Sequence, residues 1–304
     1  MKHLLGIENL NRDQIMNILE TAVSFDEINQ RQIKKVPTLK GKTIINFFAE
    51  PSTRTRMSFE VAEKRLSADT YNIAVSGSAI EKGETLSDTA LNLQAMQPDA
   101  MIIRHSVAGT PQLLAEIMDC SIINAGDGFR EHPTQALLDA FTIWQKKGKL
   151  EGLRIALLGD IYHSRVARSN IYLLTKMGCD VVISGPGTMI PKEIEKMGVT
   201  VEKRPVDAVK GADAVMMLRV QNERASNLLY PDVREYAKFF CLTPELLKYA
   251  KNDAIVMHPG PANRGVEIDD VVMDGERSVV LTQVANGVSV RMAVLYLLLG
   301  GSEK

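Results

Sequence analysis

Short apolar runs rich in Val, Ile, Leu and Ala alternate with helix-period segments along most of this sequence. A strand of a parallel sheet has this composition because helices cover both faces of the sheet, so the strand is buried on both sides. The pattern therefore predicts an α/β fold built from doubly wound parallel sheets. The predicted strands are 42–48, 70–75, 99–103, 121–124, 154–159, 180–184, 213–218 and 254–257.

These strands form two series, which are separated by a long predicted helix over 134–147. Further helix-period segments are predicted at 85–97, 111–119, 165–177, 191–197 and 288–299. A chain of 304 residues is long enough for two ordinary domains. We predict a first domain of residues 1–133 with a C-terminal helix in 284–304, and a second domain of residues 134–283. The ligand site is expected in the cleft between the two domains.

Charge and cysteine content exclude several classes of protein. Lys and Arg number 36 against 37 Asp and Glu, so the chain lacks the basic excess that binds nucleic acid or an anionic membrane. Cys120, Cys179 and Cys241 are odd in number and far apart, which argues against a disulfide framework or a zinc site. The N-terminus does not read as a signal peptide, and the most apolar stretch, MAVLYLLLGG, is shorter than the roughly 20 residues of a membrane span. We expect a soluble cytoplasmic protein.

Polar residues follow the ends of the predicted strands, where doubly wound sheets bind their ligands. The first such segment, PSTRTR, leads directly into a helix that Phe59, Ala62 and Leu66 anchor on one buried face. A helix N-terminus attracts an anion through its N–H groups, and Arg54 and Arg56 could add charge-assisted contacts to a phosphate. An ordinary helix cap followed by solvated arginines would have the same sequence, and this segment alone does not decide between the two.

Several other chemistries lack the residues that they require. The sequence has no G-x-x-x-x-G-K-[ST] loop, no G-x-G-x-x-G after a strand and no G-x-S-x-G elbow, and its histidines show no metal-ligand spacing. Arginines instead follow successive strands, namely Arg54, Arg104, Arg165 and Arg219. If they converge, the ligand is strongly anionic, such as a phosphate together with carboxylates. The alternative is four separate surface arginines.

Seven motifs together carry a resemblance to a known family. They are STRTR, KGET, RH, HPTQ, HSRVARSN, RVQNER and HPGPANRGVEI, in this order from near the N-terminus to the C-terminal helix. The set resembles the aspartate/ornithine carbamoyltransferases. Ornithine enzymes typically carry Cys after the His of the last motif, and Pro259 occupies that place here, which favours aspartate as the acceptor. The resemblance implies carbamoyl transfer from carbamoyl phosphate in pyrimidine biosynthesis, with no cofactor and no metal.

The resemblance also implies the residues that bind the donor. The phosphate contacts would be Ser52, Thr53, Arg54 and Thr55. The groups around the carbamoyl oxygen would be Thr55, Arg104 and His132, with Gln135 on the carbamoyl amino group. Ser78 and Lys82 would reach into the site of a neighbouring subunit, so the implied assembly is a homotrimer with shared active sites. The catalytic set implied in this way is Arg54, Thr55, Lys82, Arg104 and His132.

On the acceptor side, the resemblance implies that Arg165 binds the α-carboxylate of aspartate. Arg219 and Gln221 would bind the β-carboxylate, Lys82 would also contact this substrate, and the carbonyls of Pro259 and Gly260 would orient the amine. Two departures from the family pattern are Glu81, where some relatives have a second lysine, and Gly260, where Leu or Ala is common.

Two other functions remain open at this point. One is a carbamoyltransferase for another acceptor, such as ornithine or an acylated amino acid. The other is a non-catalytic, two-lobed protein that binds anions. Regulatory chains or other enzymes of pyrimidine synthesis are possible partners that the sequence does not identify.

Overall fold

The computed structural model describes residues 1–74, 83–220 and 232–300. The chain divides into two compact units. Unit 1 comprises Met1–Leu137 and Ala285–Lys304, and unit 2 comprises Leu138–Val284. Each unit contains one parallel sheet, which confirms the predicted fold class of two doubly wound α/β domains.

Unit 1 is built on a sheet of four parallel strands in the order β2-β1-β3-β4. The strands are β1 Thr43–Phe48, β2 Asp69–Ala74, β3 Ala100–His105 and β4 Ser121–Asp127. The helices are α1 Arg12–Asn29, α2 Thr53–Arg65, α3 Leu86–Gln94, α4 Thr110–Ile117, the first part of α5 Pro133–Lys147 and the end of α11 Val280–Leu299. Side chains of β1, β3 and β4 are buried together with the apolar face of α4, as the two-sided burial of the strands requires.

Unit 2 has five parallel strands in the order β7-β6-β5-β8-β9. They are β5 Arg154–Leu158, β6 Asp180–Ser184, β7 Thr200–Val201, β8 Ala214–Met217 and β9 Ile255–Met257. The helices that belong wholly to this unit are α6 Arg165–Lys176, α7 Pro205–Val209, α8 Val233–Phe240, α9 Pro244–Leu247 and α10 Asp270–Met273.

Unit 2 differs from the prediction in several elements, and its helices α7, α8, α9 and α10 were not predicted. The segment 191–197 was predicted as a helix, but it contains only the short 3-10 helix Ile194–Met197, which begins after Glu193 in the left-handed region (φ 60°) and ends at Gly198. Strand β7 was not predicted, because two residues are too few to show a periodicity.

Helix α11 is longer than the predicted segment 288–299, because it begins at Val280. Its length and its mean hydropathy of 1.3 would suffice for a membrane-spanning helix, but 61% of its most apolar window is buried inside the protein. The apolar side chains of α11 are therefore those of a core helix.

Helix α2 carries a buried carboxyl group behind its polar N-terminus. Glu63 is fully buried and accepts a hydrogen bond of 2.9 Å from Asn46 Nδ2 on β1. Burial raises the pKa of Glu63 to about 7, and the bond from Asn46 acts more weakly in the opposite direction. The side chain thus joins α2 to the central part of the sheet in a form that depends on pH.

We predict that this carboxyl group makes the stability of the chain fall as the pH rises. The folded pKa lies above the ordinary value of 4.5, so the stabilisation is complete below pH 4.5 and is lost as the pH rises through about 7. Glu63→Gln keeps an acceptor for Asn46 but cannot ionise. Urea denaturation should show the variant gaining up to roughly 3 kcal/mol relative to the original chain between pH 5 and pH 8. A difference that stays constant with pH would contradict this.

Candidate active site

The end of β1 lies beside the end of β3 in unit 1. Phe48 stands opposite Arg104 in the register, and Ala49 N donates to the Arg104 carbonyl oxygen at 2.9 Å. Strand β2 flanks β1 on its other side, so the chain order reverses between β1 and β3. Ligands of doubly wound sheets bind at such a switch point. The PSTRTR segment and Arg104 therefore lie at the end of the sheet where doubly wound proteins typically bind a ligand.

Ser52 occupies the N-cap position of α2, in an extended conformation with φ −161° and ψ 103°. Among the described residues its hydroxyl makes no capping hydrogen bond, in contrast to Asn11 at α1, which forms a complete capping box. The side-chain cap that the alternative interpretation of this segment gives to Ser52 is therefore not formed. The helix begins with no acidic side chain in its first turn and carries Thr53, Arg54 and Thr55 there, which suits an anion.

The structure brings Thr55 and His132 together. Both side chains are buried, and Thr55 Oγ1 lies 3.5 Å from His132 Nε2. His132 directly precedes helix α5, and Gln135 lies buried in the first turn of that helix, where its N–H donates to the His132 carbonyl oxygen at 3.0 Å. A hydroxyl, an imidazole and an amide residue thus occupy one small region of unit 1.

Arg104 is held from two sides. Its Nη1 donates to the Ala125 carbonyl oxygen at 3.3 Å, and its Nη2 lies 3.5 Å from Glu50 Oε1, with both side chains less than one-fifth exposed. No role was predicted for Glu50, although it stands directly before PSTRTR in the sequence. An acidic residue beside a phosphate-binding motif was the available signal, because such a carboxylate can orient an arginine.

Unit 2 has a switch point of its own, between β5 and β8. Leu158 stands opposite Met217, and Leu218 N donates to the Leu158 carbonyl oxygen at 2.8 Å. Arg165 is the first residue of α6 and Arg219 follows β8, so both lie at the carboxyl ends of these two strands. A ligand of unit 2 would bind at this end of the sheet, as a ligand of unit 1 would bind at the end of β1 and β3.

The turn between β5 and α6 is fixed by two residues that were not predicted. The buried Asp160 accepts from His163 N at 3.1 Å, and its Oδ2 lies 3.0 Å from His163 Nδ1. Ser164 caps α6 by accepting from Ala167 N at 3.0 Å. Arg165 is itself almost completely buried, so its position depends on this turn.

The third segment of unit 2 follows β9. Pro259 and Gly260 lie there, and Gly260 adopts φ 65°, a conformation that costs a residue with a side chain roughly 1–2 kcal/mol. This conformation gives a physical reason for glycine at this position. Ser78, Glu81, Lys82 and Gln221 lie outside the residues that the structure describes.

Two family models match the chain along most of its length. "Aspartate/ornithine carbamoyltransferase, carbamoyl-P binding domain" matches residues 2–145, and "Aspartate/ornithine carbamoyltransferase, Asp/Orn binding domain" matches residues 151–298. The chain therefore belongs to the aspartate/ornithine carbamoyltransferase family. The motif residues at the switch points of its two parallel sheets agree with this assignment.

Individual relatives with high sequence identity belong to the aspartate branch of this family. The aspartate carbamoyltransferase catalytic subunit of Syntrophotalea carbinolica is 61% identical and covers 99% of this chain and 96% of its own length. That of Syntrophus aciditrophicus is 59% identical, with 99% and 98% covered.

Solved structures of both branches of the family are similar to this one. Aspartate transcarbamoylase from Trypanosoma cruzi in complex with N-(phosphonacetyl)-L-aspartic acid has a TM-score of 0.89 at 29% identity, with 98% of this chain and 96% of that chain covered. Ornithine carbamoyltransferase from Pyrococcus furiosus has a TM-score of 0.88 at 34% identity, with 99% and 98% covered. The fold is therefore shared by enzymes with different acceptors.

We predict that Ser52 contributes to anion binding and little to stability. Because its hydroxyl does not cap α2, Ser52→Ala should change the free energy of unfolding by less than about 0.5 kcal/mol. Asn11→Ala, which removes a real cap, is the matched control and should cost about 1 kcal/mol. Calorimetric titration with inorganic phosphate should show binding to Ser52→Ala weakened about tenfold. Equal destabilisation by the two variants would contradict the assignment.

Proposed function

We propose that this chain acts as an aspartate carbamoyltransferase, which converts carbamoyl phosphate and L-aspartate into N-carbamoyl-L-aspartate and phosphate. The observation that carries the proposal is full-length identity of 56–61% to relatives named as aspartate carbamoyltransferase catalytic subunits. The reaction belongs to pyrimidine biosynthesis. Pro259 in place of the Cys that ornithine enzymes typically have also supports aspartate as the acceptor.

The donor binds at the N-terminus of α2 in this proposal. Ser52, Thr53, Arg54 and Thr55 contact the phosphate, with Lys82 and Ser78 as further contacts. The positive end of the helix dipole and the charge-assisted bonds of Arg54 both favour a multiply charged oxyanion. The support is the position of this segment at the switch point of unit 1, together with a Ser52 hydroxyl that is not used as a cap.

The carbamoyl oxygen is polarised by Thr55, Arg104 and His132, while Gln135 holds the carbamoyl amino group. The closeness of Thr55 Oγ1 and His132 Nε2 and the fixed position of Arg104 support this assignment. As the tetrahedral intermediate forms, negative charge grows on that oxygen. A fixed hydrogen-bond donor at such an oxyanion is typically worth ~3–4 kcal/mol of the barrier.

The acceptor is bound through its carboxylates. Arg165 contacts the α-carboxylate, and Arg219 with Gln221 contacts the β-carboxylate, while the carbonyls of Pro259 and Gly260 orient the amine. The burial of Arg165 at the start of α6 supports a bidentate role, since a buried guanidinium is rigidly aimed. The cationic tail of ornithine would be repelled by Arg219.

The chemical step needs the amine of aspartate in contact with the carbonyl carbon of carbamoyl phosphate. Attack forms the new C–N bond and a tetrahedral intermediate, which collapses as the C–O bond to phosphate breaks. The leaving phosphate is basic enough to accept the proton that the amine loses. Orientation of two bound reactants can supply up to ~7–11 kcal/mol in ideal cases, and carbamoyl phosphate is already an activated donor.

The finer parts of the proposal concern assembly and location. We propose a homotrimer in which Ser78 and Lys82 enter the active site of a neighbouring subunit. The relatives are named catalytic subunits, which supports association with regulatory chains or other pyrimidine enzymes. A cytoplasmic location is supported by three free cysteines, and burial raises the pKa of Cys120 to about 11 and that of Cys179 to about 12.

We predict that two inactive variants restore activity when they are mixed. Arg54→Ala and Lys82→Ala should each lose nearly all turnover, because each removes a cation from the phosphate site. After dissociation and reassembly, some interfaces would pair an intact Arg54 with an intact Lys82. Phosphate release should then recover in part. Absence of recovery from mixed trimers of confirmed size would contradict the shared site.

We also predict a strict choice of acceptor. Aspartate should turn over and ornithine should not, and Arg219→Ala should raise the KM for aspartate about 10- to 100-fold, since a hydrogen bond to a charged group is worth roughly 1.5–3 kcal/mol. Arg204→Ala is the matched control, because Arg204 is an exposed arginine of unit 2 that pairs with Asp207. Turnover of ornithine without aspartate would refute the assignment of the acceptor.

A further inference from the structure

The loop after β9 is organised by the buried ring of His258. Gly260 N donates to His258 Nδ1 at 2.8 Å, and His258 Nε2 lies 3.2 Å from Glu267 Oε1. Because Nδ1 accepts a hydrogen bond, the ring proton lies on Nε2, which donates to the carboxylate. Both nitrogens are engaged, so the plane of the ring is fixed by its own contacts.

A network of buried hydrogen bonds also holds the backbone of His258. Its backbone N–H donates to Gln283 Oε1 at 3.0 Å, and Gln283 Nε2 donates to Asp139 Oδ1 at 2.7 Å. Asp139 also accepts from Asn170 Nδ2 at 2.9 Å. These bonds lie inside unit 2, and the five side chains that form them and the ring contact are buried, namely Asp139, Asn170, His258, Glu267 and Gln283.

One bond of this network reaches the proposed substrate contact. The N–H of Gly260 and the carbonyl of Pro259 belong to the same planar trans peptide unit, in which they point in opposite directions. When His258 Nδ1 fixes the direction of that N–H, it also fixes the direction of the Pro259 carbonyl. The ring therefore controls a group that it does not touch.

We propose that His258 is a positioning residue, which aims the Pro259 carbonyl at the amine of the acceptor through the rigid Pro259–Gly260 peptide. The inference rests on the proposed function, in which this carbonyl accepts a hydrogen bond from the amine. The amine must present its lone pair to the carbonyl carbon, and a displacement of about 1 Å in such a contact can cost roughly 100-fold in rate. The ring supplies this alignment without contacting either substrate.

Two substitutions separate the two nitrogens of the ring. His258→Asn places an amide oxygen near the position of Nδ1 and loses the donor to Glu267. His258→Gln places a side-chain N–H near the position of Nε2 and loses the acceptor for Gly260. Each variant gives up one buried hydrogen bond, so thermal unfolding should show similar losses of stability.

The kinetic effects should differ. His258→Gln should lower kcat with aspartate about 10- to 100-fold, whereas His258→Asn should stay within about threefold of the original chain. The KM for carbamoyl phosphate should be unchanged in both. If His258→Gln does not fold, His258→Ala replaces it in the comparison with His258→Asn.

Succinate, which is aspartate without the amine, separates a misdirected carbonyl from a collapsed loop. A collapsed loop would weaken the binding of succinate as well as that of aspartate. Its inhibition constant should be the same in His258→Gln and in the original chain, because the Pro259 carbonyl acts only on the amine. The proposal would be overturned if both variants lost kcat equally or if neither lost it. It would also be overturned if His258→Gln weakened the binding of succinate as much as that of aspartate. A folded original chain that does not carbamoylate aspartate would instead refute the proposed function.

Discussion

The carboxyl end of a buried central strand is the constraint on which each candidate site depends. In unit 1 the register sets Phe48 against Arg104, and in unit 2 it sets Leu158 against Met217. In each unit one further main-chain hydrogen bond continues the pairing beyond the strand, so the polar segments that follow start from fixed positions. The strands are parallel, but the connections that leave β1 and β5 run to opposite sides in the sheet order, and doubly wound sheets bind ligands at such switch points.

Buried or partly buried polar groups hold the side chains and the carbonyl that are proposed to contact the ligands. Glu50 orients Arg104, the Asp160–His163 pair shapes the turn before Arg165, and His258 with Glu267 organises the loop of Pro259. A buried polar group is costly when one partner is removed, and a satisfied network is correspondingly rigid. Rigidity of this kind is what catalysis by orientation and fixed charge requires.

The sequence was sufficient to predict the two parallel sheets, because burial on both faces leaves continuous apolar runs. It also placed Ser52 at the start of α2, since a polar segment directly followed a strand. It could not supply the Glu50–Arg104 and His258–Glu267 pairs, because side-chain contacts between separate segments leave no periodic pattern. The absence of a cap by the Ser52 hydroxyl depends on local geometry, and β7 was too short to be detected.

Carbamoyl phosphate is proposed to bind at the N-terminus of α2, and a titration with carbamoyl phosphate followed by two-dimensional ¹H–¹⁵N NMR would show where it binds. We expect the backbone amides of residues 52–56 to show the largest chemical-shift changes in the chain, with saturation at one equivalent. If the amides of residues 52–56 stayed unchanged while those of another segment saturated, the donor would bind elsewhere and the proposed site would be wrong.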